Sequence, residues 1–120
     1  MEEQIKFRSG LEARCASLLE RSNTPFLYEA EKLDYVIHAR YTPDFILPNG
    51  VYLEAKGLFK PADRRKMIAV KAANPDIDIR FIFQRNNVIA KGSKTTYGAW
   101  ADKHGFPYCI FPNIPYSWLT

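Results

Sequence analysis

The 120-residue chain carries 47% hydrophobic and 25% charged residues, the balance of one ordinary globular domain with enough apolar mass for a single core. Seventeen Lys and Arg against thirteen Asp and Glu give a net charge of +4, which permits a polyanionic partner without demanding one. Disorder is excluded by this composition, and the apolar runs are too short to span a bilayer. The expectation is a soluble cytoplasmic protein with no membrane partner. Cys15 and Cys109 lie far apart with no metal-ligand spacing, and read as buried free thiols.

In chain order, Ser9-Gly10-Leu11-Glu12 has the form of a capping box and opens an amphipathic pattern at Leu11, Cys15, Leu18 and Leu19. A helix from about Ser9 to Ser22 follows, stopped by Asn23-Thr24-Pro25. Phe26 to Glu31 and Tyr35 to His38 are rich in aromatic and β-branched residues and read as strands. Tyr41 to Leu47 and Val51 to Ala55 read as two further strands joined by the hairpin signal Pro48-Asn49-Gly50. Pro61 to Asn74 is a second helix, begun by a proline suited to its first turn. Ile77 to Phe83 is a buried strand, and Asn86-Asn87 a turn into Val88-Ile89-Ala90. A third helix runs from Thr96, as N-cap, to Gly105, with Tyr97, Trp100 and Ala101 facing the core and His104 at its C-terminal end. Phe106 to Thr120 holds three prolines and reads as irregular structure with a last helical turn. The fold class is α/β, a mixed central sheet flanked by helices.

Counting outward from Asn49-Gly50 brings Asp44 nearly opposite Glu54 on the hairpin, where cross-strand neighbours are within ~5 Å. Two carboxylates held that close repel and favour a cation between them. Lys56, two residues beyond Glu54, shares its face, and the Ala55 backbone carbonyl is placed to serve as a further metal ligand. Phosphodiester hydrolysis needs an activated water and neutralisation of phosphate charge. Mg²⁺ or Mn²⁺ on oxygen ligands, one or two per site, supplies both. The plain alternative is that both acids only decorate an exposed hairpin face. The apolar flanks Phe45-Ile46-Leu47 and Val51 to Leu53 weigh against it, because they set the pair in the sheet.

Pro43-Asp44, nine residues, then Glu54-Ala55-Lys56 is the pattern of the PD-(D/E)xK nuclease superfamily. Phe7 to Glu12, Tyr41 to Gly50 and Glu54 to Leu58 closely resemble the bacteriophage T-seven endonuclease I family. Lys91-Gly92-Ser93, Tyr97-Gly98 and Lys103-His104-Gly105 extend that resemblance in the same order. It implies a restriction-endonuclease-like fold and a Holliday junction resolvase, cutting four-way junctions and other branched or mismatched DNA with metal-activated water. The products would be a 5′-phosphate and a 3′-hydroxyl, and the setting a phage-infected host cytoplasm. It also implies a domain-swapped homodimer in which Glu12 joins Asp44, Glu54 and Lys56 as catalytic, reaching the metal directly or through water. Glu12 is also the capping-box glutamate, so the two roles compete for one carboxylate. The residues 32–40 are the candidate inter-subunit crossover within one domain spanning 1–120. That segment is shorter here than in the family's best-known member, and the basic extensions at that member's two ends have no counterpart in this sequence.

For DNA, Arg64 and Lys71 share a helix face with Lys60 just before it. Lys91, Ser93 and Lys94 surround a glycine, and Arg8 and Ser9 stand at a helix N-terminus. All suit phosphates and therefore shape recognition rather than base readout. The rival readings are a nicking or single-strand-specific endonuclease of the same fold, a transposase endonuclease subunit, and a non-catalytic nucleic-acid-binding module. The intact Asp44, Glu54 and Lys56 set weighs against the last.

Overall fold

The computed structural model describes residues 4–120. It divides into two compact units, Met1–His38 and Ala39–Thr120, and the boundary falls inside the 32–40 segment.

The first unit is built on α1, Gly10–Arg21. Ser9 is its N-cap in extended conformation, and its hydroxyl accepts the Glu12 N–H at 3.1 Å. The reciprocal half of the expected capping box is altered, because the Glu12 carboxylate accepts the Arg8 N–H at 3.0 Å instead. Ser22 closes the helix and Asn23, at φ 55°, turns the chain away, a left-handed position that asparagine tolerates. Only Ala16 of α1 is buried, while Leu11 and Leu18 stay 63% and 57% exposed. Cys15 is exposed too, against the expectation of a buried thiol, because it belongs to that same open apolar face.

The strands expected at Phe26 to Glu31 and Tyr35 to His38 do not form. A strand needs a neighbour for its N–H and C=O groups, and among the described residues none pairs with either segment. Glu29, at φ 48°, also interrupts the first of them. Tyr35, Val36 and Ile37 are left 83%, 79% and 74% exposed.

The second unit carries the sheet. Its elements are β1 (Phe45–Ile46), β2 (Val51–Lys56), α2 (Pro61–Ala73), β3 (Asp78–Phe83), α3 (Tyr97–Lys103), β4 (Tyr108–Ile110) and a 3₁₀ turn (Tyr116–Trp118). The strands lie in the order β1-β2-β3-β4, β1 antiparallel to β2 and the remaining pairs parallel. This is the mixed sheet expected, with helices supplying the crossovers that parallel pairs require. On one face Phe59, Met67, Ile79, Phe81, Phe83, Tyr97, Trp100, Ala101 and Phe106 form an aromatic-rich core, as the helical spacing of Tyr97, Trp100 and Ala101 predicts. On the other, Val51, Leu53, Ile82, Cys109 and Trp118 close a smaller cluster.

The expected third helix is trimmed to Tyr97–Lys103, with the Thr96 hydroxyl capping the Ala99 N–H at 3.1 Å and Gly105 at φ 76° past its end. Gly98 is required there, since a Cβ would overlap the Tyr108 ring. β4 lies inside the stretch expected to be irregular. A three-residue strand between Pro107 and Pro112 has too few positions for alternation to register. Val88 to Ala90 contributes one bridge, Val88 to Thr96. No helix among the described residues is long and apolar enough to cross a membrane.

Candidate active site

The hairpin positions the central residues. The Leu47 N–H donates to the Val51 carbonyl at 2.8 Å, and Gly50, at φ 87°, closes the turn. The register then pairs Ile46 with Tyr52 and Phe45 with Leu53. Pairing ends there, and Asp44, the next residue outward, lies close enough to Glu54 for its charge to act on that carboxyl.

The proline suits the end of this pairing. Leu47 and Val51, and by alternation Phe45 and Leu53, occupy positions at which antiparallel partners exchange both hydrogen bonds, and the next such position outward would fall at Pro43 and Ala55. Pro43 has no N–H, so it offers the Ala55 carbonyl nothing. Asp44 Oδ2 takes over the other half of the exchange, accepting the Ala55 N–H at 2.9 Å. The strand therefore ends with one carboxylate and one carbonyl gathered beside Glu54.

Glu54 is the one buried acid in the described structure, 5% exposed, at the margin of the aromatic core face. The Tyr41 hydroxyl donates to its Oε2, and Lys56 Nζ stands 3.8 Å from its Oε1. Burial pushes its carboxyl above the usual carboxylate range, and the Asp44 charge adds to that. The Tyr41 hydrogen bond and the Lys56 ammonium oppose it. The Tyr41 phenol is driven far up in turn, first by its own burial and then by Glu54. Lys56 is shared, since Asp63 Oδ1 lies 3.8 Å from the same ammonium.

Asp44, Glu54 and the Ala55 carbonyl are the hard oxygen donors that Mg²⁺ or Mn²⁺ takes, so the residues fit such an ion. Among the described residues of this unit, no third His, Cys, Asp or Glu joins them in a cation-sized cluster. Two residues of this site were not singled out from sequence. Tyr41 falls on the opposite parity to Asp44 in a regular strand, but the chain before Phe45 is not a strand and the alternation does not apply. Asp63 carried a visible signal, an acid at the third position of a helix begun by Pro61.

Glu12, in the first unit, forms its own polar cluster. Its Oε1 accepts the Tyr28 hydroxyl at 2.5 Å as well as the Arg8 N–H. Tyr28 and Arg8 hold this carboxyl below the usual range, and the Tyr28 phenol is raised in exchange. Arg8 pairs with Glu29 at 2.5 Å, and the Phe7 ring meets Tyr28 edge-on at 4.7 Å.

The residues expected to face DNA divide. Lys60, Lys91 and Lys94 are exposed, and the Ser93 hydroxyl accepts the Thr95 N–H beside Gly92 at φ 80°. Arg64 instead donates to the Phe59 carbonyl at 2.5 Å and the Ile89 carbonyl at 3.4 Å. Lys71 donates to the Gly105 carbonyl at 2.6 Å and lies over the Phe106 ring. Both are engaged in joining α2 to the loops around it, so helical spacing alone overstated them as free cations. Arg8 and Ser9 are exposed but already partnered as described.

Comparison with known proteins agrees with the blocks quoted from the sequence. The chain is 42% identical over 117 residues to Endonuclease I of Escherichia phage T7, covering 94% of this chain and 78% of that protein. It is 44% identical over 103 residues to Endodeoxyribonuclease 1 of Enterobacteria phage T3, covering 82% of this chain and 68% of the relative. The family model described as Phage endonuclease I matches residues 1–120, and the chain belongs to that family.

Proposed function

We propose that the protein is a divalent-metal-dependent DNA endonuclease, selective for four-way junctions and other branched or mismatched DNA, acting as a homodimer with a PD-(D/E)xK-type active site. The observation that carries the reading is the hairpin register, which brings Asp44, the Ala55 carbonyl, Glu54 and Lys56 to one place in a chain whose relatives are named as endonucleases.

Asp44, Glu54 and the Ala55 carbonyl would hold Mg²⁺ or Mn²⁺. When bound, the ion supplies Lewis-acid polarisation of the phosphate and a lowered pKa for water. Lys56 stands beside Glu54, where its ammonium can orient the attacking water and offset charge on the phosphoryl oxygens. The water oxygen bonds to phosphorus as the P–O3′ bond breaks, and the 3′ oxygen takes up a proton. Tyr41 holds the Glu54 carboxylate by one oxygen and leaves its Oε1 on the Lys56 side. The exposed Lys60, Lys91 and Lys94 are suited to backbone phosphates and carry no base preference.

Two features support the dimer. The unpaired stretch through Tyr35, Val36 and Ile37 and the open apolar face of α1 leave more apolar surface exposed than a small monomer keeps. A second copy exchanging this region would bury it, and Glu12 would then complete the partner's site. Purified protein should cut a four-way junction in Mg²⁺ or Mn²⁺ and not in EDTA, with linear duplex and single strand cut far more slowly. Failure to cut any of these DNAs with metal present would sink the enzyme, and equal cutting of linear duplex would sink the selectivity.

A further inference from the structure

The Lys56 ammonium stands between two carboxylates, 3.8 Å from Glu54 Oε1 and 3.8 Å from Asp63 Oδ1. These two acids differ in what else holds them. Glu54 is proposed to receive a divalent cation. Asp63 is fixed by backbone, because its Oδ2 accepts the Lys60 N–H at 3.1 Å at the first turn of α2. That turn is itself tied down through Arg64, whose guanidinium reaches the Phe59 carbonyl beside the buried Phe59 ring.

We infer that Asp63 is a positioning residue for Lys56, keeping its ammonium in place when the charge of Glu54 is taken up by the cation. This rests on the nuclease reading. A lysine paired with Glu54 alone would lose most of its attraction as the ion bound, and would feel the ion's repulsion as well. Its flexible four-carbon stem would then let it swing to solvent. A second carboxylate, anchored on α2 and equally near the ammonium, removes that conflict. The N-terminal turn of α2 thus does two things with one side chain: Oδ2 caps the helix and Oδ1 holds the lysine.

The test uses Asp63→Asn, which keeps the shape and still offers an oxygen to the Lys60 N–H but loses the charge. Four full-length proteins are compared: the parent, Asp63→Asn, Lys56→Met and the double variant. Junction cleavage at saturating Mn²⁺ should fall roughly tenfold to a hundredfold in kcat for Asp63→Asn, the scale of a misplaced catalytic group. Its KM should stay within about twofold and its metal-free melting temperature should match the parent. Direct Mn²⁺ titration by calorimetry should show weaker binding for Asp63→Asn, since Lys56 then competes for Glu54. In the Lys56→Met background the same substitution should change Mn²⁺ affinity much less. Asp63→Glu, retaining the charge on a longer stem, should recover part of the rate.

Parent-like kcat in Asp63→Asn would overturn the inference. So would an equal loss of Mn²⁺ affinity in both lysine backgrounds, or a loss of rate that simply follows melting temperature across the Asn and Glu variants. If the parent cuts no DNA, the proposed function fails, while the Mn²⁺ titrations still decide whether Asp63 acts through Lys56.

Discussion

Glu12 and Glu54 each accept a hydrogen bond from a tyrosine hydroxyl, Tyr28 in the first unit and Tyr41 in the second. Their acidities nevertheless move in opposite directions. In both, the tyrosine favours the carboxylate. Glu12 keeps its contact with solvent and adds the nearby Arg8, so the hydrogen bond wins. Glu54 has given up its water to the face that holds Phe81 and Phe83, and has Asp44 close by, so desolvation wins over Tyr41 and Lys56 together. One interaction therefore has opposite net results in two settings, and solvation decides which. The same contrast runs through the two units at large. The second packs its aromatics into a continuous core, whereas the first leaves α1 and residues 33–37 largely open.

The largest expected effect is on catalysis. Asp44→Asn should lower Mg²⁺-dependent cleavage by on the order of a thousandfold, comparable to removing a principal electrostatic group from an active site. Unchanged cleavage in a single-turnover assay would remove Asp44 from the site. Next in size are the cores. Phe81→Ala should cost about 3–5 kcal/mol in urea unfolding, since the side chain is fully buried among Phe59, Phe83, Trp100 and Phe106. Val36→Ala, by contrast, should leave a monomer's unfolding unchanged but shift a dimer toward monomer in sedimentation equilibrium. If it destabilised dilute monomer as Phe81→Ala does, the contrast between the units would collapse.

Smaller, and opposite in sign, is Glu54→Gln. A carboxyl whose folded pKa is raised weakens folding as pH climbs from the ordinary carboxylate range through the raised value. The amide should therefore melt higher than the parent at neutral pH in EDTA, with the advantage vanishing in acid, even as cleavage is lost. A lower melting temperature at neutral pH would mean that the hydrogen bond from Tyr41 and the Lys56 contact outweigh burial. Glu12→Gln should show no such gain, because its pKa is displaced the other way.

The legible parts of this molecule are those fixed by local chemistry. Asn49-Gly50 set the turn, and the turn set the register that brings Asp44 beside Ala55 and Glu54. Ser9, Pro61 and Thr96 marked three helix starts within a residue. What could not be read depends on partners distant in sequence. Residues 26–38 have strand composition, but a strand is a relation to a neighbour, and composition does not supply one. β4 exists because β3 offers an edge to Tyr108, Cys109 and Ile110. Arg64 and Lys71 had the spacing of a basic face, and only the folded chain showed carbonyls waiting for both. Asp63 was hidden by its first role: an acid in the opening turn of a helix is satisfied as a cap, and its second oxygen finds Lys56 only once α2 has folded back beside β2.

Asp44, Glu54 and Lys56 are proposed to form a metal-dependent DNA-cutting centre. The decisive comparison is parent against Lys56→Ala on one labelled four-way junction, with binding measured in EDTA and cleavage in Mg²⁺. The two proteins should bind equally, with cleavage by the parent only when metal is present and none by Lys56→Ala. Cleavage by the parent in EDTA, or parent-like cleavage by Lys56→Ala, would contradict the proposal.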